Sequence, residues 1–197
     1  MTVNCLITGV GGQGTVLMAR IIGSAAINRG FSVLGAETIG MAQRGGSVVS
    51  HIRLGDGVYS PLIPPGRADV IIAFEPAEAV RVLPFLSPTG KLLALDRGVA
   101  PVTSSLGADG AKAGYDPALM TAYLRRCLGE RAAIISGENL LRRIGSAKVI
   151  NVALLGAALA RGMLPFTAEH IAAVIRERIP AKFTGMNLAA LEAGRSV

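Results

Sequence analysis

The stretch Val3-Asn4-Cys5-Leu6-Ile7-Thr8-Gly9-Val10-Gly11-Gly12-Gln13-Gly14 decides the fold. Val3 to Thr8 is a short apolar run rich in β-formers that ends in glycines. From Thr15 to about Asn28, Val16, Ala19, Ile22, Gly23 and Ala26 fall on one side of a helix. Phe31 to Glu37 reads as a second strand. Strand, glycine turn, helix and strand in this order predict a mostly parallel α/β sheet whose first strand is buried on both faces.

The rhythm continues outward from there. Val70–Phe74, just after Asp69, and Lys91–Leu95, just before Asp96, are further buried strands, with a short helix from Pro76 to Leu83 between them. Asp116-Pro117 opens a helix from Ala118 to Leu128, and Ala132–Ser136 is another strand. Gly46 to Pro61 breaks the pattern: Ser47–Arg53 and Val58–Ser60 flank Gly55-Asp56-Gly57, which predicts an antiparallel hairpin. The last third is helical, over Ala147–Arg161, Ala168–Arg178 (capped by Thr167 and stopped by Pro180) and Met186–Ala193. The expected architecture is a single Rossmann-like α/β domain over residues 1–197. It has a mostly parallel sheet flanked by helices, an added antiparallel hairpin and a helical C-terminal third.

Composition narrows the function. At 197 residues, 51% hydrophobic and 17% charged, the chain is no disordered segment and is long enough to bury a core. Its two cysteines exclude a disulfide framework, a four-cysteine zinc site and an ordinary cysteine-ligated iron–sulfur cluster. With no Trp and 4% aromatics, a stacking platform for single-stranded nucleic acid is not expected. The +7 charge is scattered one or two arginines at a time, which suits a phosphate-bearing ligand or an acidic partner subunit at least as well as nucleic acid. The N-terminus lacks the basic region of a signal peptide, and the longest apolar stretch, Val149 to Ala160, falls short of the roughly 20 residues a membrane span needs. A soluble, cytoplasmic protein is expected.

Gly9-Val10-Gly11-Gly12-Gln13-Gly14 fits G-x-G-x-x-G between strand and helix. The first glycine would make the tight turn, the second admit an anion to the backbone, and the third allow close helix packing, with the helix N-terminus facing a phosphate. Glu37 stands where a dinucleotide enzyme places its ribose carboxylate. The competing reading is a turn that serves packing alone. Arg44, beside Gly45 and Gly46, is either a bidentate clamp for a carboxylate or phosphate or a solvated residue of a flexible turn. His51 and His170 lack metal-ligand spacing and read as structural. Cys5 reads as a small buried hydrophobe, and Cys127 has basic neighbours but no other sign of catalysis. No residue reads as acid, base, nucleophile or metal ligand. A stand-alone NAD(P)-binding oxidoreductase and a nucleotide-sensing interaction module remain alternatives.

Four blocks in order carry a resemblance: Gly9–Gly14, Gly40-Met41-Ala42-Gln43-Arg44-Gly45-Gly46, Asp69–Glu75 and Asn187–Gly194, joined by Asn151–Gly156. Together they resemble the gamma-type domain of the 2-oxoacid:ferredoxin oxidoreductases, over about Leu6 to Gly194. The resemblance implies a subunit of a complex that oxidatively decarboxylates a 2-oxoacid with coenzyme A as co-substrate. An aryl-pyruvate such as indolepyruvate is the expected oxoacid, although the residues themselves do not choose among aryl-pyruvate, branched-chain and 2-oxoglutarate substrates. Gly55-Asp56-Gly57 imitates the start of a thiamine diphosphate motif, but no Asn-Asn pair follows. Thiamine diphosphate and the iron–sulfur clusters are therefore expected on a large catalytic partner subunit, with ferredoxin reached through the complex. Gly9, Gly11, Gly12, Gln13 and Gly14, then Arg44, Gly45 and Gly46, and finally Lys182 are the expected contacts to an anionic ligand, as backbone donors, charge clamp and second phosphate contact.

Overall fold

A computed structural model describes residues 2–37, 46–98 and 116–197. Val3–Val10 (β1) lies inside a six-stranded sheet. Ser47–Leu54 (β3) pairs antiparallel to one side of it, and Ala68–Ala73 (β4) pairs parallel to the other. With Val33–Glu37 (β2), Leu86–Leu95 (β5) and Ala132–Ile135 (β6), the order is β2-β3-β1-β4-β5-β6. Only β3 runs against the others.

Strand periodicity splits the core in two. Cys5 and Ile7 enter one apolar cluster with Met18 and Ile22, whereas Leu6 enters the other with Ile71 and Leu92. The larger cluster packs under Thr15–Asn28 (α1), Gly137–Ile144 (α4), Ile150–Ala160 (α5), Ala168–Arg178 (α6) and Ala181–Arg195 (α7). Pro76–Val82 (α2) and Pro117–Leu128 (α3) cover the other face through Ala79, Val82 and Leu124. The mixed sheet flanked by helices is the expected fold class. The caps follow the sequence too: the Asp116 carboxylate accepts from the Ala118 N–H at 2.8 Å, and Thr167 and His170 form a reciprocal capping box.

Two expectations change. The antiparallel element is not formed with Val58–Ser60: β3 pairs with β1 and with the preceding strand β2, in the register Thr8↔Val49 and Ala36↔His51. Both edges of β3 are thereby occupied, so Val58–Ser60 has no edge to join. The chain turns away through Gly55 and Gly57, at φ +110° and +76°, and leaves Tyr59 95% exposed. Arg53 secures that departing loop by donating to the Ser60 carbonyl at 3.0 Å. The second change is α4, a helix not anticipated between β6 and α5. Ser136 caps it, and it drives Leu140 into the core.

Helices α5 and α7 approach so closely that a side chain would not fit. A Cβ at Gly194 would overlap the Ala153 carbonyl, and one at Gly156 would overlap the Leu191 carbonyl. An alanine at a helical glycine ordinarily gains about 1 kcal/mol. Here Gly194→Ala is expected to reverse the sign and destabilise by about 1–3 kcal/mol, as overpacking does. Denaturant unfolding measures it, and an unchanged or raised midpoint contradicts this packing.

His51 is buried in β3, where its Nδ1 accepts from the Ile63 N–H at 3.1 Å and its ring meets Phe85 edge-on. Burial lowers its pKa below 6.5, so the folded state prefers the neutral ring. The contribution is complete above the unfolded-state pKa of about 6.5 and is lost as pH falls through it toward the folded value. Stability is expected to decline between pH 7 and 5.5, with a flatter decline in His51→Asn. Equal slopes in the two proteins would remove His51 from the account.

Candidate functional site

The chain leaves β1 for α1 on one face of the sheet and leaves β4 for α2 on the other. Diverging connections open a crevice beyond the carboxyl ends of the strands, where α/β proteins place ligands. A cleft of about 210 Å³ occupies this position, lined by Gly12, Gln13, Phe74, Glu75, Leu95 and Arg97 among others. Its walls are largely apolar, with one cation and one carboxyl side chain.

The glycine turn is braced from within. Gln13 accepts the Val10 N–H on Oε1 at 2.7 Å and donates from Nε2 to Glu75 at 2.5 Å. Glu75 is only 2% exposed, at the start of α2. The Gln13 N–H returns to the Val10 carbonyl at 3.1 Å, and the Gly11 N–H reaches the Gly46 carbonyl at 2.9 Å. Gly9 is a close-approach position, since a Cβ there would press on Gln13 Oε1 and Phe74. Gly14 caps α1 at φ +89°, and a Cβ there would strike the Asn151 amide. Gly12, at φ +98°, faces open space.

This geometry sorts the expected contacts. The amides of Val10, Gly11 and Gln13 serve the turn itself, and so does the Gln13 side chain. Gly12 and the first turn of α1, which has no side-chain cap, are the part that faces outward with donors a helix cannot satisfy internally. Gly46 adjoins the turn through Gly11, whereas Arg44 and Gly45 lie outside the described residues. Lys182 is not brought to the turn. In the antiparallel α5–α7 pair, Gly194 faces Ala153 and Gly156 faces Leu191, so Lys182 lies beyond the far end of α5 from Asn151. There its ammonium sits 4.9 Å from the Phe183 ring centroid. Glu37 is displaced as well, because β3 stands between β2 and β1 and separates them by two strand spacings, about 10 Å.

Three contributors were not singled out for the site from the sequence. Glu75 anchors Gln13, Arg97 lines the cleft after β5, and Asn151 touches the Gly14 carbonyl from α5 at 3.4 Å. Asn151 carried a signal, as an amide inside an otherwise apolar helix. The remaining reactive groups lie elsewhere. The Cys5 thiol is pushed up to about 12 by burial and by Asp69, which makes it inert. Exposed Cys127 neighbours Tyr123, whose hydroxyl pKa rises through their hydrogen bond. Cys5 packs on the α1 face, while Cys127 rides on α3 across the sheet. Among the described residues no three His, Cys, Asp or Glu side chains cluster as metal ligands.

The model of the pyruvate ferredoxin/flavodoxin oxidoreductase family matches residues 4–197. Indolepyruvate oxidoreductase subunit IorB of Pyrococcus horikoshii is 37% identical over 195 residues, which cover 97% of this chain and 93% of that protein. The subunit of the same name from Archaeoglobus fulgidus is 38% identical over 194 residues, 98% of this chain and 94% of that one. The fold is that of pyruvate oxidoreductase subunit PORC from Thermotoga maritima, with a TM-score of 0.68 at 20% identity over 99% of this chain and 96% of that one. It also matches 2-oxoglutarate:ferredoxin oxidoreductase from Magnetococcus marinus, solved with 2-oxoglutarate, coenzyme A and succinyl-CoA bound. That match has a TM-score of 0.69 at 16% identity and covers 99% of this chain but 30% of the longer one. A match of this extent, on a chain with the same sheet and flanking helices, makes this protein a member of the pyruvate ferredoxin/flavodoxin oxidoreductase family.

Proposed function

We propose that this chain is the smaller, non-catalytic or co-catalytic subunit of an indolepyruvate:ferredoxin oxidoreductase, built as one gamma-type domain and working in the cytoplasm. The observation that carries the reading is identity of 35–38% to four indolepyruvate oxidoreductase subunits over nearly their whole length. The complex would convert the 2-oxoacid and coenzyme A to acyl-CoA and carbon dioxide and pass two electrons to ferredoxin.

The donor set of this chain does not fit the electron-transfer groups. An iron–sulfur cluster needs about four thiolates, and the two cysteines lie on opposite faces of the sheet. Clusters and thiamine diphosphate, which supplies carbanion stabilisation, therefore belong in this reading to the large subunit. The described part of this chain offers instead a rigid crevice for an anionic co-substrate. Gly12 lets the ligand approach the backbone, the first turn of α1 receives negative charge, and Arg97 supplies a cation beside the apolar wall. Arg44 and Gly45, next to Gly46, remain proposed as a clamp on the same ligand. A phosphate-bearing ligand such as coenzyme A suits these features, and an NAD(P) site is disfavoured by the displacement of Glu37.

The test is reconstitution. The purified chain is expected to show neither cluster absorbance nor oxoacid-dependent ferredoxin reduction, and a stoichiometric complex with the large subunit is expected to show both. Turnover by this polypeptide alone would overturn the proposal. Within the assembled complex, Gly12→Val should raise the KM for coenzyme A tenfold or more, at a stability cost of about 1–2 kcal/mol from its positive φ. An unchanged KM would reduce the turn to packing.

A further inference from the structure

A groove of about 500 Å³ runs between α1 and α6, away from the cleft, lined by Leu17, Arg20, Ile21, Ser24, Ile27 and Arg178 among others. Leu17 is 41% and Ile27 63% exposed, although the opposite side of α1 is core. Residues 17, 20, 24 and 27 recur at helical spacing and form one stripe about 15 Å long, the span of roughly three helical turns. Gly23 and Ser24 keep its floor low.

The rim is basic. Arg20 has no ion-pair partner among the described residues. Among the described residues Arg178 pairs only with its exposed neighbour Glu177, at 3.1 Å, and Glu169 on the same helix is held by Arg176. Arg29 closes the other end of α1, with Nη1 3.3 Å from the His170 ring of α6. Positive charge thus exceeds negative around an apolar trough about as long as three turns of helix.

We infer that this groove docks an amphipathic acidic helix of the large subunit. Its apolar face would cover Leu17 and Ile27, and its carboxylates would meet Arg20 and Arg178. A second copy of this chain is the wrong occupant, because two such rims would set arginines against arginines. The inference rests on the subunit reading above and adds to it the face and the chemistry of the contact.

The experiment measures binding of the purified large subunit to this chain by calorimetry at low and high salt. Arg20→Glu/Arg178→Glu is expected to weaken binding at least tenfold at low salt and to invert the salt dependence of the wild type, because repulsion from an acidic helix is screened as salt rises. Leu17→Ser/Ile27→Ser is expected to weaken it at least fivefold in a chain that still folds, since Ile27 is mostly and Leu17 partly in solvent. The two pairs are independent, so a folding failure in one leaves the other decisive. Wild-type affinity in a folded pair overturns the docking site and leaves the subunit reading intact. A wild-type chain that binds no large subunit overturns that reading, and the inference with it. A photo-crosslinker at position 24 should capture an acidic helix of the large subunit, and capture of a second copy of this chain instead counts against the proposal.

Discussion

The Gln13 side chain ties the end of β1 to the end of β4, and the crevice depends on that tie. One amide satisfies the Val10 N–H inside the turn and, with its other end, the buried Glu75 carboxyl. Removing the Gln13 amide would take a partner from the Val10 N–H and one of the contacts of the buried Glu75 carboxyl, at a cost of about 1–3 kcal/mol. The turn therefore has little freedom to relax. Gly12 is presented outward in a left-handed conformation that side-chain-bearing residues avoid, and it lines the cleft just ahead of the uncapped start of α1. A preorganised site of this kind avoids the ordering cost a flexible loop would incur on binding.

The second support comes from the helical layer. Gly156 and Gly194 let α5 and α7 touch backbone to backbone, and α5 in turn places Asn151 against Gly14. Residues of the C-terminal third thus hold the N-terminal turn in place across 137 positions of sequence. The buried amide of Asn151 is satisfied at both ends, by the Gly14 carbonyl and the Val152 N–H, which makes it compatible with an otherwise apolar helix.

Charge and chemistry are distributed in a way that suits a subunit. The histidines and buried cysteine are occupied in structural roles, while three of the scattered arginines line the two depressions of interest. Arg97 faces the cleft, and Arg20 and Arg178 face the α1–α6 groove. The cleft and the groove share no lining residue, so the proposed ligand site and the proposed docking face are separate surfaces of the chain.

The sequence by itself determined the local elements. Short apolar runs rich in β-formers, a glycine turn and proline-, acid- or threonine-capped starts located β1, α1, α2, α3, α6 and the strands around them, since those signals act within a few residues. The two cysteines also fall short of the four thiolates of an ordinary iron–sulfur cluster, a limit that composition sets before any folding. Tertiary structure alone decided the rest. Ser47–Leu54 looks like half of a hairpin because Gly55-Asp56-Gly57 is a good local turn, yet pairing with both β1 and β2 leaves no edge for Val58–Ser60. The same insertion moves Glu37 away from the glycine turn. Lys182 and Glu75 are equally plain as charges in the sequence. Helix register carries one away from the turn, and strand order brings the other to it, because distances between elements are set by packing that no local pattern encodes.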